Sequence, residues 1–431
     1  MRILHTSDWH LGKTLHEHSL LEDQEHFLNW LLDYLDAHPH DVLLIAGDVY
    51  DRSLPPAEAV GLMSQFLASI RRRSEIPIIL IPGNHDSARR LAYLSEVVAS
   101  RGIFIVSDLE QAASPISIDG ADFYAIPFLN PYEIEFPETN GGRIDRSHEA
   151  AMQFAMDRIG PVLKPDRINI ALAHMFATGG STSDSERAFV GASGEVNIAL
   201  LQSFDYVALG HLHRPQKVSD NAWYSGSPIA YSFSEAGDAK CVLSVEIGGS
   251  VEAGASAETG AVESPRSPVG ESSGGGNSAE AAKATPAVKK KKKDRSGQES
   301  LPLLWESASA AKLEVHRIEV PAMRKVTRLK GTLSDLLENP DYEKHVADYL
   351  EVEITDPAFS GSPLATLSKR FPFLLSIRRS APPVAEGSDF PVREGKTIED
   401  DFEAFQDYLY PEGENPLLSQ KKELFEKEAS N

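Results

Sequence analysis

Five short segments in the first half of the chain carry carboxylate, amide and imidazole side chains, which are ligands that divalent cations bind in proteins. The segments are Asp8-Trp9-His10, Gly47-Asp48, Gly83-Asn84-His85-Asp86, His174 and Gly210-His211-Leu212-His213. Such a mixture of oxygen and nitrogen ligands suits two adjacent cations, which can activate water and neutralise the charge of a phosphate group. We therefore expect a two-metal site.

Each segment follows an apolar run that is typical of a buried β-strand. The runs cover residues 1–6, 41–46, 77–81, 168–173 and 206–209. Near-continuous apolar runs favour parallel strands that are covered on both faces. Because ligands collect at the carboxyl ends of such strands, the five segments should converge on one crevice. A single Asp or His after a strand is often only a turn residue, whereas five such exits favour a shared site.

Apolar residues at helical spacing lie between the strands. They recur over residues 20–35, with Gln24 on the same face, and Pro39 ends that predicted helix. A second helix is predicted over residues 56–70. Helices that alternate with strands indicate βα units and an α/β fold.

Length and composition limit the class of protein further. With 431 residues, and about 150 residues per domain as a guide, two or three domains are expected. The sequence contains no run of about 18 apolar residues that would predict a membrane span, so we expect a cytoplasmic protein without membrane association. The single cysteine, Cys241, agrees with a reducing compartment.

The five segments resemble the calcineurin-like metallophosphoesterase superfamily, whose pattern runs Asp-x-His, Gly-Asp, Gly-Asn-His-Asp, His and Gly-His-x-His. Within that superfamily, residues 7–12, 46–51 and 210–215 are most similar to the SbcD family of bacterial nuclease subunits. The similarity covers most of residues 1–247 and resumes after a gap. It implies a metallophosphoesterase β-sandwich flanked by helices, with a smaller α+β capping domain.

The resemblance also implies roles for individual residues. One metal ion would bind Asp8, His10, Asp48 and His213, and the other would bind Asp48, Asn84, His174 and His211, so that Asp48 bridges the two. His85 would be the general acid, because an imidazole can give a proton to a leaving oxygen near neutral pH. For Asp51 and Asp86, two roles are left open, which are support of the ligands and capping of turns. The ligand types favour Mn²⁺ and leave Mg²⁺, Fe²⁺ and Zn²⁺ open.

The rest of the chain differs in composition. We predict a nuclease domain over residues 1–247, completed by a strand at 312–320, then a capping domain over 321–386 and a partner-docking segment over 387–431. Residues 248–311 are rich in Gly, Ser, Ala, Glu and Pro, which predicts a disordered insertion. Its lysine run at 289–293 could tether DNA, although a solubilising patch is the favoured interpretation. Phe402, Phe405, Tyr408 and Leu409 form an amphipathic stripe that could dock on a partner or pack on the capping domain.

The function implied by the resemblance is that of a Mn²⁺-dependent DNA phosphodiesterase. It would degrade double-stranded DNA ends and open hairpins in DNA end processing, replication and recombination. Its partner would be an SbcC-type coiled-coil ATPase, in a heterotetramer that contains a homodimer of the nuclease subunit. Two alternatives remain open: a phosphoesterase that acts on a small molecule or a phosphoprotein, and a binding scaffold that has lost the chemistry.

The net charge of −22 opposes simple DNA binding, because proteins hold DNA mainly by neutralising its phosphates with Lys and Arg. Metal ions would cancel part of the excess negative charge. We expect a basic surface on the partner subunit to have the larger effect.

Overall fold

A computed structural model of the chain describes residues 1–136, 145–184, 186, 194–248, 312–356 and 362–380. The chain forms two compact units, Met1–Arg378 and Arg379–Asn431. The predicted insertion beyond Gly248, with its lysine run, lies outside the described residues, and so do the predicted docking segment and its stripe at Phe402, Phe405, Tyr408 and Leu409. Among the helices that are described, none is long and apolar enough to cross a membrane.

The strands, in chain order, are β1 (Arg2–Thr6), β2 (Thr14–Leu15), β3 (His18–Ser19), β4 (Val42–Ala46), β5 (Ile78–Ile81), β6 (Ile103–Ile105), β7 (Ile116–Ile118), β8 (Ala121–Ile126), β9 (Ile168–His174), β10 (Phe176–Ala177), β11 (Glu195–Val196), β12 (Tyr206–Gly210), β13 (Gln216–Lys217), β14 (Ala222–Tyr224), β15 (Cys241–Ile247), β16 (Leu313–Glu319), β17 (Val326–Gly331), β18 (Tyr349–Ile354) and β19 (Leu374–Arg379). The α-helices are α1 (Leu21–Ala37), α2 (Ala57–Arg73), α3 (Ala88–Leu91), α4 (Ser95–Ala99), α5 (Leu109–Ala112), α6 (His148–Ile159), α7 (Leu333–Glu338) and α8 (Pro363–Leu367).

Two six-stranded sheets form the larger part of the fold. The first has the order β16-β15-β1-β4-β5-β6 and the second has the order β13-β14-β12-β9-β8-β7. Strands β1, β4, β5 and β6 are parallel, as are β8, β9, β12 and β14, while antiparallel strands complete both sheets. Within each sheet, the carboxyl ends of the parallel strands therefore lie at the same edge, as ligand convergence requires.

Strand β4 shows why the apolar runs are continuous. Leu43 and Ile45 belong to the core that the first sheet shares with α1 and α2, where Phe27 and Phe66 are buried. The alternate residues of β4, including Leu44, belong to the core between the two sheets. Since successive side chains of a strand point to opposite faces, both sets of residues must be apolar.

The second sheet is covered on its outer face by α6, whose Met152, Ala155 and Ile159 are buried in a third core. Two packed sheets with helices outside them confirm the predicted β-sandwich flanked by helices. Helix α2 continues three residues beyond Ile70, where it was predicted to end. The additional residues are Arg71, Arg72 and Arg73, and a prediction based on the spacing of apolar residues cannot include them. Arginines also suit the negative end of the helix dipole.

A smaller α+β domain follows, made of the sheet β17-β18-β19 with α7 and α8, and we call it the small domain. Its own core includes Leu336, Val352 and Phe371. On the opposite face of β17 and β18, Val326 and Tyr349 join the core around α1 and α2. The small domain therefore packs directly against the first sheet and its helices.

Candidate metal centre

The predicted ligands come together at the carboxyl edge of the two sheets. Asp8 and His10 follow β1, Asp48 follows β4, Asn84 follows β5, His174 ends β9, and His211 and His213 follow β12. Among the described residues, three groups hold their ligand atoms within 4.8 Å of one another. Two of them share Asp8: the first group is Asp8, His10 and His213, and the second group is Asp8, Asp48 and His174. The third is His10, Asp51 and His85.

The first group is built around two facing imidazoles. His10 Nε2 lies 3.1 Å from His213 Nε2 and 3.6 Å from Asp48 Oδ2. Both histidines are at most 2% exposed. Two ring nitrogens and a carboxylate oxygen lie close together here and are shielded from water. Such an arrangement suits one cation between them.

The amide of Asn84 lies beside the second group, in contact with His174. Its Oδ1 lies 3.0 Å from His174 Nε2 and 3.0 Å from His211 Nδ1. His174 Nε2 is also 3.5 Å from Asp48 Oδ2, the same oxygen that approaches His10 in the first group. Asp48 therefore lies between the two groups, where a carboxylate can bridge two cations.

Hydrogen bonds outside these groups orient the rings. His174 Nδ1 donates to the carbonyl oxygen of Ala46 over 2.8 Å, so its Nε2 is directed at Asn84 and Asp48. Similarly, His85 Nδ1 donates to the carbonyl oxygen of Asp51 over 2.7 Å. A carbonyl oxygen can only accept, and this fixes which nitrogen of each ring faces the site.

The buried charges of the site influence one another. Burial raises the pKa of Asp8 to about 6, because its charged form is poorly solvated. Burial opposes the charge of Asp48 as well, but the charge and hydrogen bond of His174 hold the Asp48 pKa well below its usual range. Burial likewise opposes a charged His174, yet Asp48 and Asp8 outweigh it and raise the His174 pKa to about 9. His174 thus carries a proton that a cation would replace.

Unusual backbone conformations occur at four of the predicted ligands. Asp8, His10, Asp48 and His211 have φ angles of 55°, 43°, 51° and 106°, in a region that residues other than glycine rarely adopt. Backbone hydrogen bonds hold the loop after β1 in place. Asp8 N–H donates to Gly47 O over 3.0 Å, and His10 N–H donates to Asp48 O over 2.9 Å. Strained backbone that neighbouring loops fix in this way is common at functional sites.

Two glycines let the loops approach closely. A Cβ atom at Gly83 would collide with the carboxylate of Asp48, and one at Gly210 would collide with the carbonyl oxygen of Ala46. The glycines of the Gly-Asn-His-Asp and Gly-His-x-His segments are therefore required by the spacing of the ligands.

Asp86 and Asp51, whose roles the sequence leaves open, both bind neighbouring loops. Asp86 accepts backbone N–H groups from Gly83 at 3.0 Å, Val49 at 3.0 Å and Tyr50 at 2.9 Å, so it ties the loop after β5 to the loop after β4. Asp51 pairs with Lys13 at 2.7 Å, and its Oδ1 lies 3.8 Å from His10 Nδ1. Both carboxylates therefore support the loops that carry ligands.

His85 lies at the rim of the cluster and is half-buried. Its ring centroid is 4.7 Å from that of His10, and its backbone N–H donates to Asp48 Oδ1 over 2.9 Å. Since Nδ1 donates to the carbonyl oxygen of Asp51, Nε2 is the ring nitrogen that can meet another group.

Several side chains that contact the ligands have no counterpart in the sequence patterns. Tyr231 places its ring 5.4 Å from that of His10 and 5.7 Å from that of His213. Glu235, which is 1% exposed and paired with Lys240, lies 3.6 Å from His213 Nδ1. Ser225 Oγ lies 2.9 Å from the Oγ of Ser7, which donates to Asp8 Oδ2. Ser225 follows β14 and could have been found by the rule of strand exits, whereas Tyr231 and Glu235 follow no strand.

Two family models match parts of this chain. A family model described as calcineurin-like phosphoesterase matches residues 1–215. A second model, SbcD_C, described as the type 5 capsule protein repressor C-terminal domain, matches residues 322–410. The crystal structure of TT1561 of Thermus thermophilus is similar over 52% of this chain and 89% of that chain, at 16% identity and a TM-score of 0.32. That last similarity is too distant to inform function.

Proposed function

The chain belongs to the calcineurin-like phosphoesterase family, whose members are metal-dependent hydrolases of phosphate esters, and we propose that this member is a DNA nuclease subunit. The observation that carries the proposal is the combination of a clustered ligand set with an SbcD_C match at residues 322–410. A phosphatase for small esters needs only the first of these two parts. The proposed substrates are double-stranded DNA ends and hairpins, in DNA end processing, replication and recombination.

In this proposal the residues divide between two Mn²⁺ ions. Asp8, His10, Asp48 and His213 hold one ion, and Asp48, Asn84, His174 and His211 hold the other. Three oxygen-bearing and four imidazole side chains suit Mn²⁺, and Mg²⁺ is the main alternative. When bound, such a pair of ions polarises the scissile phosphate and activates the attacking water.

His85 is proposed as the general acid. The carbonyl oxygen of Asp51 fixes its Nδ1, and the bond from its backbone N–H to Asp48 fixes its position relative to the bridging carboxylate. Its Nε2 can then carry a proton to the sugar oxygen that leaves when the phosphodiester breaks. An imidazole suits this task because it gains and loses a proton near neutral pH.

We further propose that the subunit forms a homodimer. Five of the nine large apolar side chains that are exposed in the described part of the chain belong to residues 54–97, next to the loops that carry Asp51 and His85. They are Leu54, Val60, Tyr93, Leu94 and Val97. Leu54, Val60 and Tyr93 line one groove of about 450 Å³. Exposed apolar clusters usually mark an interface, and a second copy of the same patch can cover it about a twofold axis.

An SbcC-type coiled-coil ATPase is the proposed partner, which would make the assembly a heterotetramer. The net charge of −22 supports a partner, since an acidic chain gains little from the phosphate contacts that dominate DNA affinity. A basic surface on the ATPase would supply those contacts.

The proposal is tested by assaying the purified protein with Mn²⁺ on labelled duplex and hairpin DNA, and on p-nitrophenyl phosphate. We expect DNA cleavage, and His85→Gln should reduce it by about 100-fold or more, because a general acid contributes at least that much. His26→Gln, at an exposed position on α1, is the matched control and should retain activity. Turnover of the small ester without DNA cleavage would instead indicate a small-molecule or phosphoprotein phosphoesterase. Inactivity on both substrates, with metal bound, would indicate a scaffold.

A further inference from the structure

Gln24 on α1 holds the backbone of residues 8–12, which we call the β1 loop. Its side chain is 1% exposed. Oε1 accepts the N–H of Gly12 over 2.9 Å, and Nε2 donates to the carbonyl oxygens of His10 at 2.7 Å and Trp9 at 3.3 Å. One buried amide therefore binds the backbone of three residues in the loop that carries Asp8 and His10.

The β1 loop needs such support because its conformation is strained. Asp8, His10 and Gly12 have φ angles of 55°, 43° and 89°. Residues other than glycine adopt such angles only when their surroundings impose them. The bonds from Gln24 are among the contacts that impose them here.

The preceding residue, Asp23, binds the small domain and the connection that leads to it. Asp23 is 4% exposed, and its Oδ2 accepts the hydroxyl of Tyr349 over 2.6 Å and Arg324 Nη1 over 3.4 Å. Arg324, just before β17, also pairs with Glu22 at 3.0 Å and lies 4.7 Å from the ring centroid of Phe373. Adjacent residues of one helical turn thus contact the β1 loop and the small domain.

The first turn of α1 depends on these contacts for its own position. Leu20 is the N-cap residue of the helix. Its apolar side chain cannot accept hydrogen bonds from the free N–H groups there, and it makes no capping bond. The turn is held by the tertiary bonds of Asp23 and Gln24, together with the bond from Leu20 N–H to Lys13 O over 3.1 Å and the burial of the Leu20 side chain. A change in the contact between Tyr349 and Asp23 would therefore shift the position of Gln24.

We propose that Asp23 and Gln24 are positioning residues through which the small domain stabilises the β1 loop, so that affinity for the cation held by Asp8 and His10 depends on the small domain. The inference rests on the ligand roles in the proposed function, but not on DNA as the substrate. Neither residue offers an atom to the cation. Each acts through the backbone that presents the ligands, as residues around a metal site commonly do.

Titration of the full chain with Mn²⁺, followed by the electron paramagnetic resonance of free Mn²⁺, tests the first half of the inference. Gln24→Met keeps the length of the side chain and removes its hydrogen bonds. We expect the affinity for one of the two ions to fall by about 10-fold, as for other residues that orient ligands, while the other ion is affected less. Unchanged affinity for both ions in folded Gln24→Met protein would overturn the proposal.

Tyr349→Phe tests the second half and is the milder variant, should Gln24→Met not fold. It removes only the hydroxyl that binds Asp23, and the affinity for the same ion should fall by about threefold, as expected for one hydrogen bond. Tyr342→Phe is the matched control, because the bonds that the hydroxyl of Tyr342 makes to described residues lie within the small domain, to Lys330 O and Asp335. Equal Mn²⁺ affinities in the two variants would contradict the inference.

The proposed nuclease function can be disproved independently of the proposed role of Asp23 and Gln24. Wild-type protein that binds Mn²⁺ but leaves duplex DNA intact would contradict the proposed substrate. The differences in Mn²⁺ affinity between the variants would still decide whether Asp23 and Gln24 position the β1 loop.

Discussion

Asp48 is the residue on which the proposed chemistry depends most. Its Oδ2 lies 3.6 Å from His10 Nε2 and 3.5 Å from His174 Nε2, and its Oδ1 accepts the backbone N–H of His85 over 2.9 Å. A single carboxylate therefore joins both ligand groups to the proposed general acid. Its negative charge also holds the proton on His174 that a cation would displace.

Asp48→Asn should abolish the paired site. The amide keeps the shape of the side chain but lacks the negative charge that draws two cations together. We expect at least one Mn²⁺ to be lost and phosphoesterase activity to fall by more than about 100-fold, above the range for residues that only orient ligands. Calorimetric Mn²⁺ titration and an ester assay measure both effects. Asp157→Asn, at an exposed position on α6, should change neither, and a fully active Asp48→Asn enzyme would rule out the bridging role.

The clustering of the proposed ligands could be predicted from the sequence because each lies at or just beyond the carboxyl end of a strand, which is a local pattern. Gln24 could not, since it lies on the apolar face of α1 and its partner His10 is 14 residues away. Glu235 presents the same difficulty, because only the folded chain brings it to His213. Residues that contact the ligands but lie far from them in the sequence form no regular pattern from which they could be predicted.

At the scale of elements, the site depends on loops that are tied to one another. Asp86 joins the loops after β4 and β5 through three backbone N–H groups. The two-residue strands β2, β3, β10 and β11 were not predicted, because elements so short have no periodicity. Strands β1, β4, β5, β9 and β12 and helices α1 and α2 were predicted, since both faces of the strands and one full stripe of each helix are apolar, whereas β8 and α6 were not predicted.

Asp86→Ala should destabilise the fold. Backbone N–H groups that lose a charged acceptor away from water are costly, and we expect the free energy of unfolding to fall by about 2–3 kcal/mol. Urea denaturation measures the change. Asp108→Ala is the comparison, since Asp108 is an exposed helix cap that, among the described residues, accepts the N–H of Gln111 alone, and such a cap contributes about 1 kcal/mol. A smaller loss for Asp86→Ala than for Asp108→Ala would contradict the tie between the loops.

For the whole molecule, the sandwich and the small domain agree with the predicted fold class. The division into residues 1–247 with 312–320, 248–311, 321–386 and 387–431 stays a prediction. The resemblance of the sequence to a known family implied a small α+β domain, but not how that domain meets the sandwich. That contact runs through Tyr349 and Arg324 to Asp23, and single polar residues of this kind carry no periodic pattern.

Removal of divalent cations should destabilise the whole chain, because Asp8 and Asp48 would remain buried at one site without their cations. At a Mn²⁺ concentration about 100 times the dissociation constant, linkage predicts about 2.7 kcal/mol of added stability for one site. Differential scanning calorimetry of chelated and Mn²⁺-loaded protein measures it as a rise in Tm. Asp48→Asn protein should show a smaller rise, and an equal Tm with and without Mn²⁺ would contradict metal binding by the native fold.

Anomalous diffraction at the manganese edge, on crystals grown with Mn²⁺, tests the two-metal centre most directly. We predict two peaks about 3.5–4 Å apart. Asp48 should lie between them, with His10 and His213 at one peak and His174 and His211 at the other. A single peak, or peaks remote from Asp48, would contradict the account.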